Sequence, residues 1–126
     1  MTRLHLLEKV KTRKNQVGMT IDNISKLSKL GNRTVNRFFS GEDVKFSTVE
    51  KITNIMGLDF AGNETIDITT LKKNRAKKKA LYIISLVQDT SALEMQGLEN
   101  SDIKILIEDT TKQFLTGEYQ KNLWIN

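Results

Sequence analysis

The chain has 126 residues, enough for one domain, or a small domain with an appendage, that buries a core without disulfides. Cysteine and proline are absent, which excludes a disulfide framework, a thiolate metal site and a cysteine nucleophile. The net charge of +5 is unevenly distributed, because residues 1–60 carry +5, residues 61–79 carry +4 and residues 80–126 carry −4. A basic first part and an acidic last part favour a polyanion as the partner of the N-terminal part. The alternative is that the surface charge drifted to this distribution without a functional reason.

Apolar residues at helical spacing predict three short helices in the first part of the chain. The first covers about 3–14 and is followed by a turn at 15–18. The second begins after Thr20, a good N-cap residue. The third covers about 32–39 and ends near Gly41, since glycine readily adopts the left-handed conformation at a helix end. The inward-facing residues are Leu4, Leu7 and Val10 in the first helix, Ile21, Ile24 and Leu27 in the second, and Val35 and Phe38 in the third.

A fourth helix is predicted to begin at Ser47, which has Glu50 three residues later and so matches a capping box. It should end at Gly57. Beyond it, Ile66 and Ile68 alternate with polar residues, which is compatible with a short strand or an extended linker over 63–69.

Two further helices are predicted in the remainder of the chain, from residue 69 onward. A long one starts at a cap on Thr69 or Thr70, and its second half is apolar on nearly every side, so the fold or another chain must cover it. A buried strand at 80–87 is the alternative. After a break at Gly97, the final helix runs from a cap at Asn100 or Ser101 to Gly117, and Trp124 should pack against something. The inward stripe of that helix comprises Ile103, Leu106, Ile107, Thr110 and Phe114.

The third helix has an unusual exposed face. Asn32, Arg33, Asn36 and Arg37 repeat at i, i+1, i+4 and i+5, which places them together on one side of a helix. Arginine presents two donors that match the O6 and N7 acceptors of guanine, and asparagine can pair with adenine N6 and N7. An ordinary solvated helix face would also contain such residues.

Residues 19–41 resemble the helix-turn-helix of the lambda repressor and Cro-like family, and the resemblance extends over about 4–60. The matching features are Thr20 at the cap of the second helix, the apolar-then-small pair Ile24 and Ser25, the inward residues Val35 and Phe38, the closing Gly41, and the MGLD sequence at 56–59. Two positions depart from the family pattern. Ile21 stands where the family has a DNA-contacting glutamine, and Gly31 replaces the serine or threonine that caps the third helix.

The resemblance implies that the third helix enters the major groove of DNA, with its N-terminal residues nearest the bases. Base contacts are then expected from Asn32, Arg33, Thr34, Asn36 and Arg37. Phosphate contacts are expected from helix N-termini and neighbouring cations. The candidates are Lys14, Thr20, Lys29 and Lys45, together with Lys77 and Lys78 from a basic run at 72–79 that contains six cations. The alternative is that these cations are only solvent-exposed side chains of the long helix, without a binding role.

The sequence therefore predicts an all-α protein, with a helix-turn-helix domain at 1–60 and a helical dimerisation or partner-binding region at 61–126. We expect a sequence-specific regulator of bacterial or phage type that binds double-stranded DNA as a homodimer on a pseudo-palindrome. An antitoxin-type autoregulator that binds a protein through its C-terminal helices is the alternative, and a scaffold that has lost DNA binding is a third. With one histidine, His5, and no nucleotide-binding, metal-binding or nucleophile motif, we expect no enzyme activity, cofactor or metal.

Overall fold

The computed structural model describes residues 3–93 and 100–125. Within them lie six α-helices and no strand, which confirms the all-α fold class. The helices are α1 (Arg3–Val17), α2 (Ile21–Ser28), α3 (Asn32–Phe39), α4 (Phe46–Ile55), α5 (Ile68–Leu93) and α6 (Asn100–Thr116), and a 3₁₀-helix follows at Gln120–Asn122. None of the helices in the described ranges is long and apolar enough to cross a membrane. The chain forms two compact units, one ending at Leu71 and one covering Lys72–Ile125.

The core of the first unit is built from one apolar stripe on each of α1 to α4. α2 packs against α3 and α4, and α3 also contacts α1. The buried apolar residues of this unit are Leu7, Val10, Val17, Met19, Ile24, Val35, Phe38, Ile52, Met56 and Leu58. Leu4, expected on the inward face of α1, is instead exposed.

Helix α1 is one turn longer than predicted. The expected turn over 15–18 was wrong for its first three residues, because α1 continues to Val17 and ends before Gly18, whose φ is +78°. Val17 lies seven residues after Val10 and is buried on the same stripe, so the extra turn adds an apolar side chain to the core.

The start of α2 agrees with the prediction, whereas the start of α4 does not. The hydroxyl of Thr20 accepts a hydrogen bond from the Asn23 amide, and the Asn23 side chain accepts one from the Thr20 amide. Helix α4 begins at Phe46, so Ser47 lies within its first turn and is not a cap. The Lys45 carbonyl accepts from the Thr48 and Val49 amides, and the Phe46 ring packs edge-on against Phe60 with centroids 5.6 Å apart.

The segment between α4 and α5 is a hydrogen-bonded loop. It contains one isolated antiparallel bridge, between Leu58 and Glu64, and the carbonyl of Gly57 accepts from the amides of residues 65 and 66. The Asp59 carboxylate accepts from the amides of Asn63 and Ala61, and these bonds hold its pKa below the ordinary value. Among the described residues, the strand considered for 63–69 is therefore absent.

Helix α5 is capped by a residue that the sequence pattern did not indicate. The carboxylate of Asp67 accepts from the hydroxyl and the amide of Thr70, and these bonds lower the Asp67 pKa. The predicted caps Thr69 and Thr70 are instead inside the helix. Because the folded-state pKa is depressed, the cap stabilises the helix above the unfolded pKa and weakens as the pH falls through the folded one.

In the second unit, the buried residues are Ala76, Ala80 and Ile84 of α5, Phe114 of α6, and Leu123 and Trp124 of the C-terminal segment. The burial of Trp124 confirms that it packs within the fold. Residues 80–87 are helical, so the alternative of a strand is excluded. Asn100 is the first described residue of α6, and the expected break at Gly97 lies outside the described residues.

Arg13 connects three parts of the first unit. Arg13 is 5% exposed, and its guanidinium donates from Nε to the Met56 carbonyl at 2.9 Å and from an Nη atom to the Ile66 carbonyl, with Glu64 3.6 Å away. These contacts attach the 57–67 loop to α1, which is why this segment belongs to the first unit. The close approach of this loop also requires glycine at position 57. Gly57 has φ of +70°, and a Cβ there would lie 3.0 Å from the Ile66 oxygen.

We predict that Arg13→Met destabilises the protein by roughly 2–3 kcal/mol, because hydrogen bonds from a charged donor to buried carbonyls are lost. Arg3→Met is the matched control, since Arg3 also lies on α1 and pairs with Asp43, but at the surface. It should change stability by less than about 1 kcal/mol. Urea unfolding followed by circular dichroism measures both, and equal effects would contradict the role of Arg13.

Candidate nucleic-acid interface

Helix α3 presents a polar face that the protein does not cover. Asn32, Arg33, Asn36 and Arg37 are all exposed, as their spacing predicted. On the opposite side Val35 is fully buried and Phe38 is also buried. Thr34 is half-buried between these two faces. The five residues predicted to read bases thus lie on one short helix, and four of them are exposed.

The turn before α3 sets how that helix sits on the core. The Ser25 hydroxyl donates to the Leu30 carbonyl, and the Ser28 hydroxyl donates to the Ile24 carbonyl. Lys29 adopts φ of +59°, the left-handed conformation that normally favours glycine. Gly31 then leads into α3 with extended backbone and without a side-chain cap, as its lack of a side chain predicted. Two serine hydroxyls and one strained lysine therefore fix the tight turn.

The two arginines of α3 have different surroundings. The Nε atom of Arg37 lies 3.9 Å from Glu42, whose carboxylate also accepts from the Ser40 hydroxyl at 3.1 Å. Within the described residues, Arg33 has no ion pair. Because an exposed ion pair at this distance contributes little, Arg37 can exchange Glu42 for another acceptor at small cost.

A groove of about 650 Å³ lies beside α3 and contains three cations. Arg37 belongs to α3, Lys45 precedes α4, and Lys51 lies within α4. The complete lining consists of Leu30, Thr34, Arg37, Asp43, Val44, Lys45, Ser47, Thr48 and Lys51. Lys51 is not among the phosphate-binding residues predicted from the sequence. Its position one turn after Ser47 could have placed it on this side of α4, but only the packing of α4 against α3 identifies the side.

The remaining phosphate candidates are scattered. Lys29 is exposed in the turn before α3, whereas Lys14 is half-buried and the Thr20 hydroxyl accepts the capping bond from the Asn23 amide. Lys77 and Lys78 are exposed on α5 in the second unit. Of the residues predicted to contact phosphate, Lys45 therefore lines the groove and the others do not.

The basic run of α5 is divided by the fold of the second unit. Arg75 donates from Nε to the Leu123 carbonyl and from an Nη atom to the Ile125 carbonyl, both at 3.0 Å. Lys79 donates to the carbonyls of Asn122 and Ile125 and lies over the Phe114 ring. Burial lowers the pKa of both side chains. Two cations of the run thus hold the C-terminal segment, a role that sequence reasoning missed because the contacts span more than 40 positions.

Comparison with known proteins supplies no relative, since no protein-family model, curated protein or solved structure matches the chain. Within the described residues, no group of three or more histidine, cysteine, aspartate or glutamate side chains could hold a metal ion.

We predict that Lys29→Gly stabilises the protein by about 1 kcal/mol, because glycine adopts the left-handed conformation without the steric cost paid by other residues. Lys29→Ala is the control, since it removes the same charge but keeps the Cβ that causes the cost. The two variants should separate in thermal unfolding, and a glycine variant no more stable than the alanine variant would be inconsistent with the strained turn.

Proposed function

We propose that the protein is a sequence-specific regulator that binds double-stranded DNA with α3 in the major groove. The observation that carries the proposal is the exposed row Asn32, Arg33, Asn36 and Arg37, mounted on a helix whose other side is locked into the core. The resemblance of residues 4–60 to the lambda repressor and Cro-like family supports the same orientation. On this proposal the protein is of bacterial or phage type, acts in the cytoplasm and binds without catalysis.

The chemistry of this face suits the reading of base edges. A helix fits the major groove, where each base pair presents a distinct pattern of donors and acceptors. Arg33 and Arg37 supply paired donors for guanine, and Asn32 and Asn36 supply both a donor and an acceptor for adenine. Rigid seating matters here, because side chains that are already oriented lose less entropy when they bind.

The groove beside α3 supplies the charges that would bind the phosphate backbone. Lys45 and Lys51 line it together with Arg37, and the first turn of α4 begins there without a side-chain cap. Free amides at a helix start and nearby lysines are both typical phosphate ligands. Phosphate contacts of this kind fix the position of a protein on DNA, and the bases facing α3 then determine the sequence preference.

We also propose that the protein binds DNA as a homodimer through its second unit. Along α5, Leu81, Tyr82 and Leu86 are 44%, 66% and 50% exposed. Large apolar side chains clustered at the surface mark interaction sites more often than chance. A second copy would cover them and place two α3 helices on the two halves of a pseudo-palindrome. An antitoxin-type protein would instead use this surface for a different protein.

We predict that Arg33→Ala and Arg37→Ala each weaken binding to a selected DNA duplex by about 1–3 kcal/mol and relax the preference at one base position. Duplexes selected from a random pool and titrated at two salt concentrations provide the measurement. Lys11→Ala is the control, because Lys11 is an exposed cation of α1 that does not line the groove beside α3. If both α3 variants keep the affinity and the base preference of the unmodified protein, α3 is not the helix that reads the bases.

We predict that Leu81→Gln with Leu86→Gln converts a dimer into a monomer, since two apolar side chains at the contact become polar. Light scattering at micromolar concentration measures the mass. Leu4→Gln is the control, because Leu4 is 67% exposed but belongs to the first unit. A monomeric mass for the unmodified protein, with or without DNA, would contradict the homodimer.

A further inference from the structure

The exposed part of the basic run forms a stripe along α5. Lys73, Asn74, Lys77 and Lys78 are all exposed, and their i, i+1, i+4 and i+5 spacing places them on one side of the helix. Arg75 and Lys79 are half-buried and point to the C-terminal segment. Arg75 and Lys79 therefore stabilise the fold, whereas the three lysines of the stripe face outward.

The outward stripe destabilises the helix on which it lies. Lys73 and Lys77 are four residues apart, and like charges at this spacing repel each other. No aspartate or glutamate stands three or four residues from any of the four positions, so no acidic neighbour on the helix offsets the repulsion. In the described part of the chain, the structure also gives these four side chains no ion pair.

A second pair of cations on α5 has partners that compensate for the repulsion between like charges. Arg75 and Lys79 are also four residues apart, yet three main-chain carbonyls, of residues 122, 123 and 125, accept hydrogen bonds from them. The ring of Phe114 adds a cation–π contact to Lys79, at 5.4 Å from the centroid. Within the described residues the outward stripe has no equivalent partners, and a polyanion would supply them.

We propose that Lys73, Asn74, Lys77 and Lys78 form a second polyanion-binding surface, which binds the phosphate backbone of duplex DNA without reading its sequence. The stripe offers charge and one amide but no apolar side chain, whereas a protein interface normally has an apolar core. Lysine acts as a point charge on phosphate, which suits contacts that are independent of sequence. The inference rests on the proposed function only in taking the polyanion to be the DNA that α3 reads.

The test uses the full-length chain with Lys73, Lys77 and Lys78 all changed to glutamine. Glutamine keeps helix propensity close to that of lysine, so α5 should remain folded, and circular dichroism checks this. The matched control changes Lys104, Lys112 and Lys121 to glutamine, three exposed lysines of the same unit. Binding to a random-sequence duplex is measured over a series of salt concentrations.

The stripe variant should bind roughly tenfold or more weakly at 0.1 M salt, and its log–log salt slope should become shallower by up to about 2.7, because each phosphate contact contributes about 0.9. The control should keep its slope. Equal effects of the two triple variants would mean that only net charge matters, and would overturn the inference. A polyglutamate chain that competes as well as duplex at equal charge would overturn it too, in favour of an acidic protein.

The Arg33→Ala variant distinguishes this inference from the proposed function. If Arg33→Ala lowers sequence preference while the stripe variant keeps the full salt slope, the stripe inference fails and the proposed function survives. If the stripe variant loses slope while Arg33→Ala changes nothing, the stripe binds DNA and the assignment of α3 fails.

Discussion

The guanidinium of Arg13 is almost completely removed from water and bonds to main-chain carbonyls of Met56 and Ile66, on either side of the loop after α4. A buried cation is costly unless its donors are satisfied, so these bonds require the loop to return to α1. The return brings Gly57 close to Ile66 and leaves no room for a side chain. One charged side chain thus joins α1, the end of α4 and the segment that leads to α5.

In the same unit, α2 and α3 each present a polar side to solvent. Hydroxyl groups of Ser25 and Ser28 hold the turn, and the left-handed Lys29 turns the chain sharply between the two helices. The exposed amides and guanidiniums of α3 therefore lie on a helix whose other side is packed into the core. Such preorganisation is what a base-reading surface requires, since discrimination between bases depends on hydrogen-bond geometry.

The second unit uses similar residues for two purposes. Arg75 and Lys79 bond the C-terminal segment, while Lys73, Lys77 and Lys78 face outward on the same helix. Farther along α5, the exposed side chains become apolar, with Leu81, Tyr82 and Leu86 in succession. Exposed charge and exposed apolar surface thus follow one another along this helix.

The sequence by itself determined the helical class, the limits of α3, the cap of α2 and the exposed face of α3, because each depends on residues within about four positions of one another. Capping patterns in the sequence predicted the wrong helix start where a distant contact, or a different neighbouring residue, determined it. The α4 helix begins at Phe46 beside Phe60 and not at Ser47, and Asp67 caps α5 in place of either threonine. Only the tertiary structure decided that Arg13 is buried, that Lys51 joins the groove beside α3, and that Arg75 and Lys79 bind the C-terminal segment. These outcomes depend on which elements pack together, and helical periodicity contains no information about that choice.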